Sequence, residues 1–175
     1  MTIFVSGMHG VGKTFLAKPA SERLGLLYAT ASQLIREERG AASWDSNKRV
    51  DEVDENQHAL IAAVSRIRAT GRTLLLDGHF VLRGSDGEPV LLPPEVFRDL
   101  GCLGVVLLEA SAEQIAPRLQ ARGDDSWTLP QIACFIRKER EHAEGVCSHL
   151  DIRCRKVESP TPACFDTTVS ILLGS

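Results

Sequence analysis

Residues Gly7 to Thr14 read G-M-H-G-V-G-K-T, which satisfies G-x-x-x-x-G-K-S/T directly after an apolar run, Thr2 to Val5. Three glycines let consecutive backbone N–H groups turn inward on one point, and the helical pattern that follows, Lys13 to Leu24, aims its positive end at the same place. This is the design of a phosphate-binding loop. Gly7, His9, Gly10, Val11 and Gly12 supply its backbone, Lys13 reaches for β- and γ-phosphates, and Thr14 offers a hydroxyl to Mg²⁺. His9 occupies a variable position of the motif and reads as a bystander. A glycine-rich turn with an exposed lysine is the bland alternative, and the strand before and amphipathic helix after argue against it.

Further apolar runs of strand length recur at Thr73–Leu76, Leu103–Leu108 and Ile152–Val157, with a short one at Leu26–Ala29. Between them the spacing predicts helices at Lys13–Leu24, Ala31–Glu38, Val50–Ala69, Pro94–Leu100, Ala112–Ala121, Leu129–Leu150 and Phe165–Leu173. Gly25 and Gly71 sit just past helix ends, and Pro94 and Pro130 fit first turns. Strand and helix alternating in this way imply an α/β chain: a three-layer P-loop NTPase fold with a five-stranded parallel sheet flanked by helices and ligands at the carboxyl ends of the strands. Two segments read as irregular loops, Arg83–Leu92 and Gly123–Thr128.

A length of 175 residues, 43% hydrophobic, suits one well-buried domain rather than two. The net charge of −3 gives no global basic field, so long nucleic acid is not an expected partner. Five cysteines without C-x-x-C or Cys/His ligand spacing support neither a disulfide framework nor a zinc site, and read as thiols of a reducing cytoplasm. The N-terminus lacks the pattern of a signal peptide, and no stretch reaches the roughly 18 apolar residues of a membrane helix.

The third strand ends L-L-L-D-G-H, which places Asp77 where a parallel sheet delivers a carboxylate beside the phosphate loop. An acid there holds Mg²⁺ opposite the hydroxyl of Thr14; the plainer role is a cap on the following loop. His79, two residues on, is placed to orient a water or an acceptor group, or to act as a structural hydrogen bonder.

With these residues in view the sequence resembles the adenylate kinase family of nucleoside monophosphate kinases. Asp77-Gly78-His79 is similar to the D-x-H signature of its archaeal-type and nuclear-type small members, and V-L-R-G-S-D-G-E-P-V-L-L-P resembles the archaeal loop that follows. Tyr28 to Arg36 resembles the segment that closes over the monophosphate, and Arg118-Leu119-x-x-Arg122-Gly123 resembles the arginine-bearing entry to the lid. The resemblance implies one P-loop kinase domain over 1–175, an acceptor-binding insert at about 30–70 and a short lid at about 118–130. It also implies ATP and Mg²⁺ as cofactors, a small phosphorylated acceptor with AMP first among candidates, and acceptor contacts from Thr30, Arg36, Arg49 and Arg83. The chain departs from the family at Ser32-Gln33, where many members have Gly-Asp, at Arg137, where the archaeal pattern has Gln, and in a minimal lid carrying Asp124 and Asp125.

Phosphoryl transfer needs cations around the transferring group, because its charge spreads over several oxygens and positioning does most of the work. Arg118 and Arg122, four apart on one helix face, suit that role, with Lys13, Asp77 and His79 completing the expected catalytic set. Against this, Arg118 and Arg122 also fit a solvated basic face, and R-E-E-R at 36–39 also fits surface ion pairs. Arg137, Lys138 and Arg140 on the long helix, with Glu139 and Glu141 interleaved, read mostly as a solvated face, with one of them a candidate to reach the nucleotide. Trp44 and Trp127 are candidate flaps over bases. Two other functions fit the sequence: a kinase of another small metabolite, such as a sugar acid or a shikimate-like alcohol, and a nucleotide-binding switch or slow ATPase acting on a protein or ribonucleoprotein partner.

Overall fold

The computed structural model describes residues 1–40 and 51–174. In chain order the elements are β1 (Thr2–Ser6), α1 (Lys13–Leu24), β2 (Leu27–Thr30), α2 (Ala31–Arg39), α3 (Asp51–Ala69), β3 (Leu74–Asp77), β4 (Val81–Arg83), β5 (Pro89–Leu91), α4 (Pro94–Asp99), β6 (Cys102–Glu109), α5 (Ala112–Gln120), α6 (Leu129–Leu150), β7 (Arg153–Glu158) and α7 (Pro162–Leu173). Five of the strands form one parallel sheet in the order β2-β3-β1-β6-β7. Parallel neighbours need helical crossovers, and these cover the sheet with two helical layers, as expected from the alternation of runs.

Alternation along β1 assigns each side chain to a layer. Thr2, Phe4 and Ser6 face α4 and α6: Thr2 Oγ1 donates to the Leu100 carbonyl at 3.0 Å, and the Phe4 ring meets Phe80 and Phe97 edge-on at 5.3 and 5.4 Å. Phe80 and Phe97 stack at 4.0 Å and complete the aromatic centre of that layer. Ile3 and Val5, fully buried, point to the opposite side, where α1 and α7 pack against each other. Each such buried apolar side chain contributes about 1.5–3 kcal/mol, so this double-sided burial fixes the strand as the middle of the sheet.

Register brings the functional ends together. Val5 lies opposite Asp77, and Asp77 lies opposite Thr30, so β1, β3 and β2 deliver their carboxyl ends side by side. Two expectations shift. The Arg83–Leu92 segment is not irregular: β4 and β5 pair antiparallel, Val81 with Leu91 and Arg83 with Pro89, around a turn in which Gly84 and Glu88 bond across the neck. α7 starts at Pro162 rather than Phe165, because Thr161 caps it by accepting from the Cys164 N–H at 3.2 Å and Pro162 fills the first turn. Position 50, the expected start of the third helix, lies outside the described residues, as do Trp44, Lys48 and Arg49. Among the described residues no helix is long and apolar enough to cross a membrane.

Candidate active site

Gly7, Gly10 and Gly12 all take positive φ, at 142°, 83° and 109°. The first of them is doubly required: a Cβ on Gly7 would run into the carbonyl of Leu108 on β6. Gly12 occupies the N-cap position of α1 and, having no side chain, leaves the first-turn N–H groups to an anion.

Lys13 is buried, 7% exposed, and not the exposed lysine of the bland alternative. Its Nζ donates to the Gly7 carbonyl at 2.7 Å and stands 3.3 Å from His79 Nε2 and 4.0 Å from Asp77 Oδ1. Burial pushes its ammonium below the ordinary lysine range, Arg122 acts the same way, and Asp77 and Glu139 oppose them. Such a cation gains from an incoming anion more than an exposed lysine would.

Asp77 Oδ2 accepts from Thr14 Oγ1 at 2.9 Å and from the Tyr28 hydroxyl at 3.2 Å. Burial, with the Asp77 carboxylate acting in the same direction, pushes the Tyr28 phenol up to about 12, so it remains a donor. A hydroxyl and a carboxylate oxygen at hydrogen-bonding distance are hard ligands of the kind Mg²⁺ takes, so the donor set fits the ion.

The most heavily bonded side chain in the site is one expected on a solvated face. Glu139 is 3% exposed. Its Oε1 accepts from Ser6 Oγ, from the Gly7 N–H at 3.3 Å and from the Phe80 N–H at 2.9 Å, and its Oε2 accepts from the Val81 N–H at 2.7 Å. One carboxylate thus ties the start of the phosphate loop to the segment after Asp77. The signal was present in the sequence: with Ile132, Phe135, Ala143 and Val146, position 139 falls on the buried stripe of α6. Arg140 pairs with Glu109, while Arg137 and Glu141 form an exposed i,i+4 pair, in keeping with a solvated face.

The two arginines expected at the entry to a lid part ways. Arg118 Nη1 donates to the Val11 carbonyl at 3.0 Å and braces the back of the phosphate loop, away from the cavity expected for a transferring group. Arg122 lines that cavity. Arg83 leaves β4 to donate to Ser126 Oγ and to the Ser126 carbonyl at 2.8 and 3.0 Å, and its guanidinium lies 4.1 Å over the Trp127 ring. Trp127 in turn donates to Asp124 and meets Phe135 edge-on at 4.9 Å. The acidic lid residue Asp124 is therefore an internal fastener.

A cavity of about 540 Å³ opens beside these groups. Of the expected residues, His9, Gly10, Gly12, Lys13, Thr14, Thr30, Asp77, His79, Arg83 and Arg122 line it. Gly7 and Val11 lie behind the loop surface. Thr30 also caps α2, accepting from the Gln33 N–H at 3.1 Å. Arg36 is brought elsewhere: α2 turns Leu34 and Ile35 inward and leaves Arg36 exposed, off the cavity wall. Tyr28, Asn56, Gln57 and Glu139 are among the site residues that the sequence did not single out.

Residues 6–129 match the family model described as "AAA domain". The chain belongs to that family. Among curated relatives of this AAA-domain chain, a "Putative adenylate kinase" of Thermococcus onnurineus (strain NA1) is 36% identical over 123 residues, 70% of this chain and 56% of that protein. A "Cytidylate kinase" of Sulfurisphaera tokodaii is 26% identical over 87% of this chain and 78% of its own length, and an "Adenylate kinase isoenzyme 6 homolog" of Caenorhabditis elegans is 30% identical over 77% and 66%. Two of these three names are adenylate kinases, the family that the D-G-H segment resembles. The chain spans just over half the length of the Thermococcus relative. In fold it is similar to the shikimate kinase of Aquifex aeolicus vf5, with a TM-score of 0.59, 12% identity and coverage of 99% of this chain and 96% of the other.

Proposed function

We propose that the chain is an ATP-dependent phosphotransferase that moves the γ-phosphoryl group of ATP to a nucleoside monophosphate, with AMP as the foremost acceptor. The observation that carries the reading is the convergence of Lys13, Thr14, Asp77, His79 and Arg122 on one end of a single cavity whose remaining wall is largely apolar. The names of the curated relatives support the same class.

In this reading the glycine-shaped loop and the start of α1 receive the β-phosphate through backbone N–H groups. Lys13 exchanges the Gly7 carbonyl for phosphate oxygens and balances charge on the group in transit. Thr14 and Asp77 would hold Mg²⁺, which would supply positive charge against the phosphates. Arg122 approaches from the lid side, and Arg118 keeps the loop in shape. An oxygen of the acceptor phosphate attacks in line, the bond to the leaving β-phosphate oxygen breaks, and no side chain takes a proton, because the acceptor is already anionic. Arg83 is the acceptor-side cation on the cavity wall; Arg36 serves only if α2 turns. The domain reading follows the same lines, with the acceptor insert at about 30–70, the lid at about 118–130 and a cytoplasmic setting.

One observation favours a second reading. With Arg36 off the wall, an acceptor bearing less charge, such as a sugar acid or shikimate-like alcohol, has fewer unmatched cations to face. ATP consumption against AMP, CMP, GMP, UMP, dTMP, gluconate and shikimate separates them. AMP should give the highest rate. Turnover with an alcohol and none with a monophosphate selects the second reading, and ATP hydrolysis that ignores every acceptor but rises with a protein partner selects a nucleotide switch.

A further inference from the structure

Gln57 belongs to no motif, yet it sits on α3 at 7% exposure and lines the cavity. Its Oε1 is shielded from solvent and meets no hydrogen-bond donor among the described residues. A buried carbonyl in that state is costly, and a folded protein keeps few without a reason. The surroundings do not supply one. Ile35, Leu60, Val96 and Phe97 form the neighbouring wall, where a leucine would sit without any unmet polar group.

The preceding residue sharpens the picture. Asn56 lines the same cavity, and its amide is oriented from outside: Arg39 Nη1 donates to Asn56 Oδ1 at 2.6 Å, while Arg39 Nη2 donates to Glu55 at 3.0 Å. With its carbonyl spoken for, Asn56 has its amide N–H groups left to offer, beside the unmet carbonyl of Gln57.

We propose that Asn56 and Gln57 read the base of the acceptor and select bases with an exocyclic amine beside an unprotonated ring nitrogen, adenine and cytosine, over guanine and uracil. The inference rests on the kinase reading above. The amine donates to Gln57 Oε1, the ring nitrogen accepts from Asn56 Nδ2, and the flat ring covers the apolar wall. Guanine and uracil present the reverse order, a carbonyl oxygen beside an N–H. Gln57 alone could turn its amide to suit them, but Asn56 cannot, because its NH₂ would then face the guanidinium of Arg39; neither base seats against the pair, and the Gln57 contact is made with adenine and cytosine alone.

The test is acceptor KM and kcat for AMP, CMP, GMP and UMP at saturating ATP, with the parent chain and Gln57→Leu, alongside thermal melting of both. The parent should show KM values for AMP and CMP about tenfold below those for GMP and UMP, the scale of one buried hydrogen-bonding group. Gln57→Leu should raise KM for AMP and CMP by about tenfold, flatten the ranking, and leave the KM for ATP within about twofold. Its melting temperature should hold or rise, since leucine removes an unmet carbonyl. Unchanged KM values, or an equal loss for all four bases with a lower melting temperature, overturn the proposal and make Gln57 a packing residue. A parent chain that accepts none of the four overturns the kinase reading itself, and is visible before any variant is made.

Discussion

The two ends of the cavity are built on opposite terms. At the phosphate-loop end nearly every buried polar group has its partner inside the protein: Lys13 on Gly7, Thr14 and Tyr28 on Asp77, and four donors on Glu139. At the far end a buried carbonyl, that of Gln57, has none among the described residues. The difference teaches which end is finished before ligand arrives. A fully bonded wall holds its shape and offers strength to a charge that varies little between substrates, whereas an unmet group gains only from a ligand of the right chemistry.

The sharpest way to break the comparison is at Lys13. Lys13→Ala should lower phosphoryl transfer at least a hundredfold, a loss of roughly 3 kcal/mol of transition-state stabilisation, while circular dichroism stays that of a folded chain. Steady-state turnover within tenfold of the parent would sink the assignment of the finished end to catalysis.

Next in size is Glu139→Gln. The amide keeps the volume but must turn an NH₂ toward either the Val81 N–H or the three donors on the other oxygen, at a cost of about 2–3 kcal/mol. Melting should fall by roughly 4–12 °C, and hydrogen exchange should quicken at Gly7, Phe80 and Val81 before other buried amides. If those three amides keep their protection, the carboxylate is not what holds the loop.

The smallest effect concerns His9. Burial, then Lys13 and Arg122, depress its pKa, so the folded chain disfavours the imidazolium that the unfolded chain accepts near 6.5. The sign follows: this part of the stability is present above about pH 6.5 and is lost as pH falls through the depressed value. His9→Asn should therefore flatten the fall in melting temperature on acidification below pH 6.5, by a small amount because solvent screens the loop. An unchanged slope would remove His9 from the charged surroundings of the finished end.

Much of that end was legible because its chemistry is local. The glycines, Lys13 and Thr14 are fixed by a motif of eight positions, and Asp77 by its place at a strand end. The parallel sheet was legible for a similar reason, since strands buried on both faces read as continuous apolar runs. What escaped is what tertiary contact decides. Glu139 sits among charged neighbours, and only the stripe of α6 reveals that it turns inward. The hairpin of β4 and β5 hid behind Gly84, Asp86, Gly87 and Pro89, whose turn chemistry reads as a loop when the short flanking strands are not paired first. Arg118 was assigned from spacing, which gives a helix face but not what that face meets, and Arg36 from the resemblance, which carries over a position but not the way α2 turns it.

The bonds of Glu139 also carry a history. Ser6 and Glu139 stand 133 positions apart, and Phe80, which lies between them in the chain, is 59 positions from the same carboxylate. During synthesis the glycine loop emerges with its strand unpaired and waits through the making of the 132 positions from Gly7 to Glu139 for the carboxylate that will pin it. The glycine loop, made well before its pin, is thus among the last parts of the fold to become rigid, and a nascent chain that stalls before α6 carries the motif without the carboxylate that fixes its start.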